Sequence, residues 1–306
     1  MDVLSDAITV MRTGRPHAGR HPRVGRWGIR FPDSGGIGFH SVLRGSVWLY
    51  PPDGAEPFRL DPGDLALLPH GRGYGLADAP DAELRPARMD PDGRLRPQPT
   101  PADPDDPDAS RTLCGAYLLN QARPHPLIAE LPPVLRLTTA GGRHPALRAV
   151  IELLDAELTD RQPGADAAVQ SLLDTLLLYT LRAWFAEQSA RTTTGWATAL
   201  QDRAIAAALG AIHADPAHPW TVEELGALAG LSRAAFARRF TALVGQPPLA
   251  YLTWWRMTTA GRLLRESDAP LRSVAQQTGY LSEFAFAKAF KREYALPPGR
   301  YRDRTA

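Results

Sequence analysis

One internal repeat constrains this chain more than any other feature. Phe236, Phe240, Pro247, Pro248 and Tyr251 recur as Phe286, Phe290, Pro297, Pro298 and Tyr301, five pairs each 50 residues apart. Upstream of each Phe-x-x-x-Phe lies a second matched element, TVEELGALAG in the first copy and PLRSVAQQTG in the second, with Val222/Leu271 and Leu225/Val274 offset by 49. The difference is one extra residue in the turn, where GLSRAAF becomes GYLSEFAF. Apolar residues at helical spacing on both sides of a glycine make each copy a helix, a turn and a second helix. Thr221 with Glu224 three residues on, and Ser232 before the second helix, are the predicted N-caps. Between the copies, PLAYLTWWRMTTAGRLLRESD reads as one helix from about Pro248 to Glu266. At 1.5 Å per residue it is roughly 27 Å long, enough to hold two recognition helices about one DNA turn apart.

Charge follows the same division. Residues 1–196 hold 21 Arg and no Lys against 24 acids, a net of −3, whereas residues 197–306 hold 12 Arg and 2 Lys against 9 acids, a net of +5. A polyanion partner is therefore expected for the last third alone. The single cysteine, Cys114, permits no internal disulfide and fits a reducing compartment. The longest apolar stretch, Leu172 to Phe185, contains Asp174 and Arg182 and is too short to span a bilayer. The N-terminus lacks the basic-then-apolar pattern of a signal peptide. The expectation is a cytoplasmic protein with no membrane partner.

The N-terminal body reads as β. GFHSVLRGSVWLY, EPFRL and DLALLPHG are separated by Gly, Pro and Asp clusters every eight to twelve residues, the rhythm of a sandwich or barrel. Residues 85–109, dominated by Pro and Asp, cannot bury a core and are read as a flexible loop within a sensor domain of residues 1–143. Residues 144–190 read as a helical element, its second helix apolar on more than one face, which predicts burial against another domain or subunit and a homodimer. Residues 191–199 are the expected linker to a helical domain of residues 200–306. The fold class is α+β in two domains.

The stretches HPWTVEELGALAGLSRAAFARRFTALVGQPPLAYLTWWRM and VAQQTGYLSEFAFAKAFKREYALPPGRYR resemble the DNA-binding domain of the AraC/XylS transcription regulators. That resemblance implies a double-stranded DNA operator and, for an activator, contact with RNA polymerase. The first recognition helix would supply most base contacts, placing Ala234, Ala237 and Arg238 toward the groove with Arg238 as base reader. In the second, Ser282, Glu283, Phe284, Ala285 and Lys288 match. Its alanine and phenylalanine can touch thymine methyls but cannot hydrogen-bond a base. Arg233, Arg239, Lys291 and Arg292 are phosphate contacts or solvated charges.

LRGSVWLY…FRLDPGDLALLPHG, with WGIRFPDSGGIGFHSVLRG before it, resembles the cupin pattern of an N-terminal sensor domain in such regulators. The resemblance places His40, His70, Tyr74 and Cys114 in an effector pocket, with Tyr74 where a metal-binding cupin has its third histidine. His40 and Cys114 could join a single transition-metal site, zinc or iron. Alternatively His40 is a hydrogen-bonded barrel histidine and Cys114 a small buried hydrophobe. The leading expectation is a regulator responding to a small-molecule or metal effector and not an enzyme. A cupin metalloenzyme with an appended DNA-binding domain, or an architectural DNA-binding protein, are the alternatives.

Overall fold

The computed structural model describes residues 2–88, 90, 96, 106, 109–119, 124–189 and 194–305. In chain order these form α1 (Val3–Met11), β1 (His17–Arg23), β2 (Gly28–Phe31), β3 (Gly36–Arg44), β4 (Val47–Tyr50), β5 (Phe58–Leu60), β6 (Asp64–Leu68), β7 (Tyr74–Ala77), β8 (Arg85–Pro86) and β9 (Ser110–Leu118). After these come α2 (Pro126–Ala129), β10 (Leu135–Thr138), α3 (Pro145–Thr159), α4 (Ala165–Ser189), α5 (Trp196–Ala199) and α6 (Arg203–Ala214). The remainder is α7 (Val222–Leu228), α8 (Arg233–Val244), α9 (Pro248–Glu266), α10 (Leu271–Gln277), α11 (Glu283–Tyr294) and α12 (Pro298–Thr305).

The strands build two five-stranded sheets, ordered β1-β9-β3-β6-β10 and β5-β4-β7-β2-β8. Every pairing is antiparallel except the short β2–β8 contact. Alternation sets which side chains meet inside. Val42 and Ala66 from the first sheet pack with Ile29, Val47, Leu49, Leu60 and Leu76 of the second sheet and its connections. The other face of the first sheet is covered by helices: Tyr117 on β9 donates to the Leu173 carbonyl at 2.9 Å, and Arg20 on β1 pairs with Asp155 on α3 at 2.6 Å. With both faces covered, β6 reads as the unbroken apolar run LALL, and all five of its residues are buried. The Pro-Gly-Asp turn ahead of it needs its glycine. Gly63 has φ +91°, where L side chains are disfavoured, and a Cβ there would lie 3.2 Å from Thr139 Oγ1.

The polypeptide divides into two compact units, Met1–Met11, His125–Leu127 and Gln188–Ala306 in one, and Arg12–Pro124 and Ile128–Glu187 in the other. This departs from the expected boundary, since α1 belongs with the helical unit and not with residues 1–143 as a whole. The reason is burial: Val3, Leu4, Ala7, Ile8, Val10 and Met11 are apolar and shielded, and α1 packs on α6 and α9. The expected linker is corrected too. Residues 196–199 are helix α5, with the Trp196 ring fully buried, while 191–193 lie outside the described residues. Of the 85–109 segment, Arg85 and Pro86 pair with β2, and most of the rest lies outside the described residues.

Candidate nucleic-acid interface and barrel interior

The first helix-turn-helix is assembled from local signals. Thr221 caps α7 through a reciprocal box: its Oγ1 accepts from the Glu224 N–H at 3.1 Å, and Glu224 Oε2 accepts from the Thr221 N–H at 2.9 Å. Gly230 takes φ +67° in the turn, and the Leu231 N–H returns to the Gly226 carbonyl at 2.9 Å. Ser232 caps α8. Phe236 and Phe240 are fully buried, their centroids 5.5 Å apart, and Phe240 meets Tyr251 of α9 at 5.9 Å. That fixes the opposite face of α8 toward solvent.

The three arginines of α8 then separate. Arg233 pairs with Glu223 at 2.7 Å. Arg239 donates through Nε at 2.7 Å to Asp202, the carboxylate that also caps α6. Arg238 is exposed and has no ion-pair partner among the described residues. Ala234 is exposed beside it and Ala237 is half-buried. Of the predicted cations on this helix, Arg233 and Arg239 are committed to carboxylates, whereas Arg238 engages none among the described residues.

The second copy repeats the plan with different side chains. Gly279 takes φ +77°, and the Tyr280 N–H reaches the Ala275 carbonyl at 2.9 Å, the counterpart of the Leu231–Gly226 bond. The Ser282 hydroxyl is occupied as the cap of α11, accepting from the Ala285 N–H at 3.1 Å. Phe286 and Phe290 are buried against α9, whose Met257, Ala260 and Leu264 join their cluster. Glu283, Phe284, Ala285, Lys288 and Lys291 are exposed, and Arg292 lies 3.3 Å from its neighbour Glu293. The joining helix α9 has 19 residues, about 28 Å at 1.5 Å each.

Inside the barrel, β3 and β9 place His40 directly opposite Cys114. His40 Nε2 and the Tyr74 hydroxyl are 2.6 Å apart, and Tyr74 stacks on Phe31 at 4.6 Å between centroids. Burial drives His40 down to about 3 and the Cys114 thiol up to about 12, so both are neutral at ordinary pH. A thiol held in that form is a poor nucleophile. The His40 Nδ1 atom is buried with no hydrogen-bond partner among the described residues. His70 is not in this group: its Nε2 lies 2.8 Å from the Leu131 carbonyl, a structural bond.

Sequence reasoning missed His21 and Arg23. Strand β1 pairs with β9 so that Gly19, His21 and Arg23 share the face of Cys114 and Thr112. Desolvation, then the charge of Arg23, lowers His21 to about 4. The Arg23 guanidinium sits 5.0 Å over the Trp27 ring, half-buried and without a carboxylate partner among the described residues. The alternation in HAGRHPR was the available signal.

No three His, Cys, Asp or Glu side chains gather as a metal set among the described residues. His40 and Cys114 supply two donors, one of them a thiol that burial keeps protonated, and this falls short of a zinc or iron site.

A family profile described as cupin matches residues 2–186, and one described as a helix-turn-helix domain matches residues 225–304. A putative AraC-like transcription regulator of Streptomyces lividans is 34% identical over 305 residues, spanning 99% of this chain and 98% of that one. The chain belongs to the AraC-like transcription regulators. It is a DNA-binding regulator whose N-terminal half is cupin-like. The RCS-specific HTH-type transcriptional activator RclR of Escherichia coli (strain K12) is 29% identical over 270 residues, 88% of this chain and 84% of its own. Among solved structures, the DNA-binding domain of AdpA in complex with a target DNA is 34% identical, covering 33% of this chain and 91% of that one, with a TM-score of 0.32. No helix among the described residues of this AraC-like regulator is long and apolar enough to cross a membrane.

Proposed function

We propose that this AraC-like regulator reads its operator chiefly through α8, and that an effector held in the barrel interior sets that activity. The observation that carries the operator reading is Arg238, the exposed cation of the first recognition helix that no carboxylate among the described residues engages. A guanidinium in that position can take guanine O6 and N7 together. Arg238→Ala should cost about 1–3 kcal/mol at one operator position and relax the preference there. The check is binding to a set of duplexes selected from random sequence and then varied base by base. Uniform weakening over all sequences, with a reduced salt slope, would make Arg238 a phosphate contact and favour an architectural role.

The effector reading is supported by a polar group unusual for a barrel core: His21, Arg23, His40 and Cys114 on neighbouring strands of one sheet and Tyr74 on the other, with His40 Nδ1 unsatisfied among the described residues. A buried unsatisfied donor or acceptor is costly unless a ligand completes it. A neutral or anionic organic molecule suits this set, since it offers neutral imidazoles, a hydroxyl and one cation. Elemental analysis of untagged protein tests it. About one equivalent of metal per chain, lost in both His40→Ala and Cys114→Ala, would replace the organic effector with a metal. The relatives are transcriptional regulators, and this reading assigns the interior group to binding an effector. Pairing of subunits through α3 and α4, a cytoplasmic location and contact with RNA polymerase belong to the same proposal. The exposed Leu153 of α3 supports the pairing surface.

A further inference from the structure

The second recognition helix carries a feature its repeat partner lacks. Leu281 and Phe284 are 106% and 81% exposed, whereas Phe286 and Phe290 on the same helix are fully buried. The extra residue of the second copy produces this. In the first copy Leu231, directly before the cap Ser232, is half-buried and bonds back to Gly226. In the second copy Tyr280 makes that return bond and packs edge-on against Phe286 at 5.8 Å. Leu281, directly before the cap Ser282, is thereby pushed out of the staple position and into solvent. Phe284, in the place of Ala234, shares its exposed face with Ala285 and Lys288 at helical spacing.

Two bulky apolar side chains at the N-terminal end of a recognition helix stand where base edges are met. The major groove offers such side chains one apolar partner, the C5-methyl group of thymine. The adjacent Glu283 is exposed, has no ion-pair partner among the described residues, and puts a negative charge at the start of α11 that disfavours a phosphate there. The surface is continuous with the helix-turn-helix domain that makes this chain a DNA-binding protein. We infer that Phe284 and Leu281 read thymine methyl groups, so that the second half-site is specified by apolar contact while α8 reads the first by hydrogen bonds. The inference rests on the operator reading above and deepens it.

The test uses the full chain. Duplexes selected from random sequence should show thymine enrichment one helical turn from the position that Arg238 reads. Each enriched thymine is then replaced by deoxyuridine, which removes the methyl group and nothing else. Wild-type affinity should fall about fourfold per contacted methyl. Phe284→Ala combined with Leu281→Ala should bind thymine and deoxyuridine duplexes equally. Both residues are solvent-exposed, so folding is not at stake. Arg238→Ala should keep the deoxyuridine penalty intact. Equal wild-type binding to thymine and deoxyuridine overturns the inference. So does a double variant that binds normally but loses activation in reconstituted transcription, which would make the patch a polymerase contact. Selection that returns no preferred sequence at all would instead overturn the operator reading.

Discussion

The two helix-turn-helix copies share a backbone plan and differ in what they attach to it. In the first, Tyr251 is held by two buried histidines, 2.7 Å from His213 Nε2 and 3.2 Å from His125 Nε2, with the His125 ring also against Trp196 and Trp254. In the second, the matching Tyr301 accepts from Arg265 at 2.6 Å. The first helix pair begins with a complete capping box, whereas α10 follows Pro270, which supplies no side-chain cap. The exposed face of α8 carries Arg238 and that of α11 carries Phe284 and Lys288. Repetition thus preserves what the fold needs, two aromatic anchors and a turn, and leaves partner-facing positions free to diverge.

The largest effects should come from the shared anchors. Phe236→Ala and Phe286→Ala each remove a fully buried ring and should each destabilise by about 3–5 kcal/mol. The second core is a cluster of its own, built from α9, α10 and α11. Amide exchange should therefore show Phe286→Ala opening α10–α12 while α7 and α8 stay protected. Loss of protection across both halves would mean that α9 welds them into one cooperative unit.

Acid should separate the halves next. Burial lowers the pKa of His125 and His213, the charge of His213 lowers His125 further, and Asp6, 3.4 Å from His213 Nδ1, acts the other way on His213. No histidine follows His218 in the chain. As pH falls below about 6.5 the unfolded chain takes up protons that the folded first half refuses, so stability is lost on acidification. Amide exchange between pH 7 and 5 should show protection falling around Tyr251 and not around Tyr301. An equal loss in both halves would remove the histidines as its cause, although His21 and His40 give the barrel an acid response of the same sign.

What could be read from the chain alone was whatever is encoded locally. The caps Thr221 and Ser232, the turns and the Phe anchors follow from short spacings, whereas Ser282, matched by position to a DNA contact, is the cap of α11. A period tells which face of an element is apolar, but not which distant element covers it. That is why the sequence alone groups α1 with the strands that follow it and reads Trp196 as linker, although both are buried in the helical unit. The same limit affected the arginines of α8. Sequence showed three, and only the distant Asp202 and Glu223 reveal that two are engaged. His70 was drawn into the pocket by its motif, although its bond to Leu131 depends on a contact 61 residues away. Strand β1 was overlooked because charged and small residues mask its alternation.

The smallest effect is also the sharpest comparison of the copies. Each recognition helix ends on a residue in the left-handed region, Gly245 at φ +80° in the first and Ala295 at φ +58° in the second. Glycine takes that conformation freely, whereas an L side chain there costs roughly 1–2 kcal/mol. Ala295 is exposed, so its methyl group buries little in return. Ala295→Gly relieves the strain but loosens the unfolded chain, which offsets about 0.4–1 kcal/mol of the gain. The net should be a stabilisation of about 0.5–1 kcal/mol, read as a higher urea midpoint at unchanged slope. Gly245→Ala should move the midpoint the other way. A neutral or destabilising Ala295→Gly would mean that the second copy ends its helix under no strain, and that the two C-caps are not equivalent.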